Sequence, residues 1–211
     1  MISKLNKEKG ILANLLEQGI RILLIKECKK IINIKIDIIA SSIEIIKGEI
    51  QKINIIAEDI NYKDLLFDAV QLESTQIKMN FNLKNKEFDF KNKPKVNLKV
   101  SLSGTSMKKI LLSKKWNWIG AMINNKILNQ GKLEDIKIKN NQILIKASKD
   151  NSSIIKEENI NIKEEKGKIY LENKSYNKNT MNIPIEDKVF IKNINIENNL
   201  IIISAYSSIS F

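Results

Sequence analysis

Residues 48–83, GEIQKINIIAEDINYKDLLFDAVQLESTQIKMNFNL, alternate between apolar and polar side chains on either side of the tetrapeptide NYKD at 61–64. This alternation predicts two long antiparallel strands joined by a turn. The apolar positions change from even to odd numbers near residues 74–75. Because successive side chains on a strand point to opposite faces, this change predicts a bulge or sharp bend there. A strand covering most of residues 65–83 is roughly 60 Å long at about 3.3 Å per residue, which favours an elongated, curved sheet.

The rest of the chain carries two helical patterns and many more alternating runs. Leucine and isoleucine at spacings of three and four predict an amphipathic helix over 5–29. A second helical region is predicted over 106–129, capped by Thr105 or Ser106 and broken around 113–116. The further predicted strands are 30–40, with isoleucine at every even position from 32 to 38, then 96–102, 136–138, 143–145, 160–162, 169–171, 183–185, 191–196 and 200–205. Helices do not alternate with the strands, so the pattern predicts an antiparallel α+β protein.

The chain is strongly basic, with a formal net charge of +12 and a pI of about 9.6, yet Arg21 is its only arginine. Arginine is the preferred residue for bidentate recognition of phosphates and bases, so this composition disfavours nucleic acid as a partner. The excess of lysine, asparagine and isoleucine also has a simpler origin in an AT-rich genome. Binding of a nucleic acid or another polyanion is the alternative function, and it predicts an affinity that falls steeply with salt.

The sequence offers no recognisable catalytic or metal site. It has no histidine, which excludes Ser-His-Asp and Cys-His catalysis. Its one cysteine, Cys28, excludes an intrachain disulfide and the usual Cys/His zinc sites. The seven glycines are scattered, so no glycine-rich loop cradles a phosphate, and the acidic pairs at 157–158 and 164–165 are interpreted as solvated charges. We therefore expect no enzyme activity, no catalytic residues, no metal and no cofactor.

Lysine, tryptophan and aliphatic residues cluster in the segment KKILLSKKWNW at 108–118. Indole rings and lysine ammonium groups suit the boundary between water and an anionic bilayer, where each lysine contributes about 1 kcal/mol. The alternative is a surface helix whose tryptophans pack on the sheet. The predicted membrane contacts are Lys108, Lys109, Lys114, Lys115, Trp116 and Trp118.

The sequence also predicts where the protein resides. The first apolar run is interrupted by Glu17, Gln18 and Arg21 and is not followed by a small-x-small cleavage site, so it is not interpreted as a signal peptide. No stretch approaches 18 apolar residues, so no transmembrane helix is predicted. We expect a cytoplasmic protein that associates peripherally with the inner or thylakoid membrane.

The order of these features resembles the bacterial LmeA-type phospholipid-binding proteins, and the likeness covers nearly the whole chain. Each motif alone is loose, and their order carries the resemblance. The pieces are the N-terminal helix, IINIKIDI at 31–38, IKGEIQKINIIAEDINYKDLLFDAVQLESTQIKM at 46–79, VNLKVSLSGTSMKKILLS at 96–113 and MNIPIEDKVFIKNINIENNLIIISAYSSISF at 181–211. The resemblance implies one domain over 1–211, with a long, bent antiparallel sheet wrapped on the N-terminal helix, similar to tubular lipid-binding domains. Together with the residue bias it suggests a bacterium, and it allows a cyanobacterium.

The resemblance implies that the protein binds phospholipid near a membrane without catalysing a reaction. The implied biological role is lipid transfer or the maintenance of envelope or thylakoid lipids. The implied partners are a phospholipid or other acyl-chain lipid and an anionic membrane surface. The residues expected to line the groove are Leu16, Ile20, Leu23, Leu24, Ile53, Ile55, Leu66, Leu111 and Met122. A third hypothesis is a structural module that binds partners through its sheet edges.

Overall fold

The computed structural model describes residues 10–82, 87–128, 132–148, 155–173 and 179–208, and within these ranges the chain forms four helices and twelve strands. The helices are α1 (Ile11–Glu27), α2 (Ser42–Ile46), α3 (Gly104–Leu112) and α4 (Asn117–Lys126). The strands are β1 (Lys30–Ile39), β2 (Glu49–Tyr62), β3 (Leu65–Asn82), β4 (Glu87–Phe90), β5 (Lys95–Ser103), β6 (Lys132–Lys139), β7 (Gln142–Ser148), β8 (Ile155–Glu165), β9 (Lys168–Asn173), β10 (Thr180–Ile183), β11 (Val189–Glu197) and β12 (Leu200–Ser208).

The strands form two antiparallel sheets, which confirms the predicted α+β class but corrects the expectation of one continuous sheet. The large sheet has seven strands in the order β1-β2-β3-β5-β12-β11, with β4 paired to the far end of β3. The small sheet has five strands in the order β10-β9-β8-β7-β6. The expectation of one sheet fails because α3 and α4 lead the chain away from β5. The strands that follow form a separate meander of consecutive hairpins. The chain then returns, and β12 pairs with β5.

The hairpin of β2 and β3 follows the sequence pattern closely. Lys63 and Asp64 form its turn with φ values of 51° and 68°, the left-handed pair that a tight hairpin turn needs. Farther along β3, Gln76 also has a positive φ, 53°. The buried residues on either side of it, Ser74 and Ile77, are three positions apart, so the face of the strand changes there. The bend predicted near 74–75 is confirmed, with Gln76 as the residue that makes it.

Two local expectations are wrong for the same kind of reason. In β1 the predicted burial of every even isoleucine fails at Ile32, which is exposed, because Asn33 has a φ of 50° and shifts the register against β2. The helix expected to start after Thr105 or Ser106 is instead capped by Ser103, whose side chain accepts a hydrogen bond from the Ser106 amide. In both cases a single backbone conformation, which the apolar pattern does not encode, moves the boundary.

One face of the large sheet is apolar and the other is polar. Ile55, Leu72, Leu98, Ala205 and Ile191 lie directly opposite one another on five neighbouring strands, so they form a continuous apolar row on one face. On the other face the neighbouring row carries paired polar groups. Examples are the Lys52–Glu73 ion pair at 2.7 Å and the hydrogen bond from Lys192 to Asn97 at 2.7 Å. The small sheet and the helices pack on the apolar face.

The main hydrophobic core lies where α3, α4 and the small sheet meet the apolar face at the β12 end. Its most deeply buried side chains include Ile127, Ile143, Ile145 and Ile201, each no more than 2% exposed. A second cluster lies under α1, where Ala13 is fully buried against β1, β2 and β3. The elongated sheet is therefore covered at its two ends by different helices.

Helix α1 also covers the free edge of the large sheet. The Ile38 amide of β1 donates a hydrogen bond to the Glu17 carboxylate at 2.8 Å, and the Arg21 guanidinium donates one to the Ile34 carbonyl at 2.8 Å. These two side chains, one helical turn apart, satisfy backbone groups that an edge strand otherwise presents to solvent. The helix is thus fixed along β1 on one flank, and its opposite flank is left facing across the sheet.

Candidate functional site

An apolar cavity of about 470 Å³ lies between α1 and the large sheet, and we call it the α1 trough. Strands β1, β2 and β3 form its floor, α1 forms one wall, and residues 90–96, which lead from β4 into β5, form the other. The floor side chains are Ile38, Ile50, Ile53, Ile55, Leu72, Ile77 and Met79. The wall side chains are Leu16, Ile20 and Leu23 on α1 and Phe90, Pro94 and Val96 opposite. This volume lies within the range of about 300–1,000 Å³ that is usual for ligand pockets.

The interior of the α1 trough offers almost nothing but hydrocarbon. Its one buried hydroxyl, on Ser74, already donates a hydrogen bond to the Lys95 carbonyl at 3.1 Å. The Glu73 carboxylate at its border is paired with Lys52 at 2.7 Å. A polar ligand group placed inside would lose its water without gaining a partner, which is unfavourable. The described lining of the trough is therefore apolar, and its two polar side chains, those of Ser74 and Glu73, already have partners.

The mouth of the α1 trough lies at the flank of α1 that carries Gly19 and Leu23. A Cβ atom added to Gly19 would have no atom within 4 Å apart from its chain neighbours and the backbone of α1, so open space adjoins the helix there. Leu23 lines the cavity and is nevertheless 56% exposed, so its side chain borders both the trough and solvent. Because glycine has no side chain, it leaves a gap between the apolar residues of this wall.

A second apolar cavity, of about 440 Å³, lies between the two sheets beneath α3 and α4. It is bordered by Leu65 and Phe67 from β3, by Leu111 and Trp116, and by side chains of the small sheet. Much of its lining belongs to the main core, including Ile123, Leu171 and Ile201. The lining of the α1 trough belongs in the same way to the hydrophobic cluster under α1, but its floor and walls come from the large sheet and α1 instead of the small sheet.

The residues predicted to line one groove fall into three groups. Leu16, Ile20, Leu23, Ile53 and Ile55 meet in the α1 trough. Leu111 lines the second cavity, beside which Met122 packs on the main core. Leu24 packs in the cluster under α1 without lining the trough, and Leu66 is half-buried outside both cavities.

Sequence reasoning missed the far wall and the mouth of the α1 trough. The alternating pattern marks Ile38, Ile50 and Ile77 as inward-facing, and it could have placed them on the floor. No local signal brings Phe90 and Pro94 opposite α1, because this contact depends on β4 folding back on β3. The role of Gly19 also has no local signal, since a glycine within a helical pattern only predicts weaker helix formation.

The residues predicted to contact a membrane differ in burial and in the bonds they form within the protein. Trp116 is half-buried, lines the second cavity and donates its indole hydrogen bond to the Lys63 carbonyl at 3.0 Å. Trp118 is 42% exposed, and Lys109, Lys114 and Lys115 are exposed around it. This corner of the molecule presents an indole ring with several ammonium groups.

The remaining predicted contact, Lys108, forms an ion pair with Asp135 of β6 at 2.8 Å. The hydrogen bond from Lys108 holds the pKa of the Asp135 carboxyl below its ordinary value of 3.8. A depressed carboxyl pKa contributes stability above the ordinary pKa, and this contribution is lost as the pH falls through the lower, folded-state pKa. The pair joins α3 to the small sheet.

We expect Lys108→Met to destabilise the protein by about 0.2–1 kcal/mol at pH 7, as is usual for solvent-accessible pairs, because Asp135 loses its partner. The difference from wild type should shrink as the pH falls from the ordinary carboxyl pKa through the lower folded-state pKa, because the carboxyl then becomes protonated in both proteins. Urea unfolding over a series of pH values from neutral to acidic measures it. Lys109→Met is the matched control, and an equal loss in both variants would contradict a specific role for the ion pair.

The described residues contain no group of three or more cysteine, aspartate or glutamate side chains placed to hold a metal ion. Cys28, at the C-terminal end of α1, has its pKa raised by burial and by the neighbouring Glu27, so its thiol is less ionised than usual. Within the same residues, no helix has both the length and the apolar character needed to cross a bilayer.

The geometry can be set against known proteins. The chain was compared with protein-family models, with curated proteins and with solved structures. No match was found in any of the three. The resemblance to the LmeA-type proteins thus stays a prediction from the order of sequence motifs.

Proposed function

We propose that this protein binds a phospholipid or another acyl-chain lipid in the α1 trough without altering it chemically. The observation that carries the proposal is a cavity of about 470 Å³ whose interior is hydrocarbon and whose one hydroxyl is already bonded. Each methylene moved from water into such a site contributes about 0.8 kcal/mol. An acyl chain fits this chemistry better than a nucleotide, sugar or peptide, which need buried polar partners.

The proposal includes a peripheral encounter with a membrane, from which the lipid is taken or to which it is delivered. Exposed apolar side chains support it, because α1 carries Ile11, Leu15, Ile22 and Ile25 on its outer face. The corner with Trp118 and its neighbouring lysines supports it independently. A fold similar to tubular lipid-binding domains and a cytoplasmic site at the inner or thylakoid membrane are parts of the same proposal.

The direct test starts with native mass spectrometry of the protein purified from an expression host. We expect a bound lipid, released by organic extraction, in a fraction of the molecules. After delipidation, saturated fatty acids of increasing length should displace a fluorescent fatty acid with rising affinity, by about fourfold per added methylene until the trough is full.

Two results would count against lipid binding. One is the absence of both co-purified lipid and fatty-acid displacement. The other is displacement that does not depend on chain length, which indicates adsorption to the surface. Tight DNA binding that falls steeply with salt, in a protein that binds no lipid, would favour the polyanion alternative instead.

A further inference from the structure

The wall of the α1 trough opposite α1 has charged residues between its apolar ones. Phe90, Pro94 and Val96 line the trough, while Lys91 and Lys93 between them are exposed. We call residues 91–93 the lip. Two exposed lysines thus alternate in sequence with residues that line this wall of the trough.

The backbone of the lip is held firmly against β3. The Lys91 amide donates a hydrogen bond to the Lys78 carbonyl at 2.8 Å. The side chain of Asn92 accepts a hydrogen bond from the Lys78 amide at 3.0 Å and donates one to the Gln76 carbonyl at 2.6 Å. These bonds continue the strand pairing past the end of β4, so the two lysines start from fixed positions beside the trough.

The lysines around the lip differ in whether their ammonium groups contact another side chain. The Lys95 ammonium group lies 3.7 Å from the centre of the Tyr206 ring. By contrast, among the carboxylates whose side chains the structure describes, which exclude Glu87 and Asp89, none forms an ion pair with Lys91 or Lys93. Two positive charges at the rim of a hydrocarbon cavity complement a ligand that is apolar along its chain and anionic at its end.

We propose that the ligand of the α1 trough is an amphiphile with an anionic head group, carboxylate or phosphate, that Lys91 and Lys93 hold at the lip. This inference rests on the proposed lipid binding and adds the charge of the head group and the residues that select it. The chain enters the trough, and the head group stays in solvent because the interior has no free polar partner.

The experiment measures displacement of a fluorescent fatty acid from the delipidated full chain by pairs of ligands with one oleyl or oleoyl chain, below their critical micelle concentrations. The carboxylate arm compares oleate with oleyl alcohol. The phosphate arm compares oleoyl lysophosphatidate with monoolein. The variants are wild type, Lys91→Gln/Lys93→Gln, and the matched control Lys166→Gln/Lys168→Gln, which removes the same charge from two exposed lysines at the turn between β8 and β9.

In wild type we expect each anionic ligand to bind about tenfold more tightly than its neutral partner at low salt, because two exposed lysines contribute modestly and are screened by salt. The lip variant should lose this preference and keep its affinity for oleyl alcohol and monoolein, whereas the control variant should keep the preference.

A preference in one arm alone identifies carboxylate or phosphate as the recognised group. Equal binding of anionic and neutral ligands to wild type, or equal effects of the two variants, overturns the inference and leaves lipid binding intact. Failure of all four ligands to bind overturns the proposed function.

Discussion

Gly48→Ala is expected to lower the free energy of unfolding by about 3 kcal/mol or more, the largest effect on stability that we predict. Gly48 follows α2 with a φ of +75°, a conformation in which an alanine is strained. A Cβ atom there would lie 1.9 Å from the Met79 carbonyl oxygen, so the backbone of β3 would have to move. That movement breaks the hydrogen bond from the Met79 amide to the Gly48 carbonyl, now 2.7 Å long.

Urea unfolding followed by circular dichroism measures this effect, and Gly19→Ala is the matched control. Gly19 lies within α1 with open space beside it, so the same change should stabilise the helix by about 1 kcal/mol. The two variants add one methyl group each and are expected to shift stability in opposite directions. A loss of less than 1 kcal/mol for Gly48→Ala would contradict the close approach of Gly48 to β3.

Gly19→Phe is expected to weaken lipid binding by roughly tenfold or more, because the ring occupies the mouth of the α1 trough. Displacing two methylenes of the ligand costs about 1.6 kcal/mol, which is about fifteenfold in affinity. Beyond the neighbouring residues and backbone of α1 itself, no atom lies within 4 Å of an added Cβ, so the substitution starts from open space at the helix surface. Fatty-acid displacement measures affinity, and thermal unfolding in the absence of ligand shows that the fold is retained.

The control for Gly19→Phe is Gln18→Phe, which adds the same ring one residue earlier. Gln18 is exposed and does not line the α1 trough, so binding should change little. If both variants bind lipid as well as wild type does, the ligand does not pass Gly19. If both weaken binding equally, the effect comes from an added surface aromatic and not from the mouth.

The hairpins were predictable from the sequence because local chemistry determines them. Asn140 and Asn141, and likewise Asn198 and Asn199, adopt the positive φ values that two-residue turns require, and asparagine tolerates them better than most residues. The alternating isoleucines on both sides then fix which face is buried. These features need no information from distant parts of the chain.

The division into two sheets and the assembly of the α1 trough were not predictable in this way. Alternation shows that β6 is a strand with one buried face, but it does not show which strand lies beside it. Similarly, Leu111 and Leu16 have the same apolar pattern on their helices, yet the first borders the second cavity and the second borders the trough. Long-range packing decides such questions, and a single sequence read by periodicity does not contain it.

The position of α1 has a consequence for how the protein fails when heated. Glu17 and Arg21 of this helix form hydrogen bonds with backbone groups of β1, while its apolar flank forms one wall of the α1 trough. Detachment of α1 therefore exposes the apolar surface of the trough and the unpaired edge of β1 at the same time. This combination promotes aggregation between molecules. We expect precipitation to begin once α1 detaches, before the rest of the sheet melts, and a bound fatty acid that holds the helix down should delay its onset.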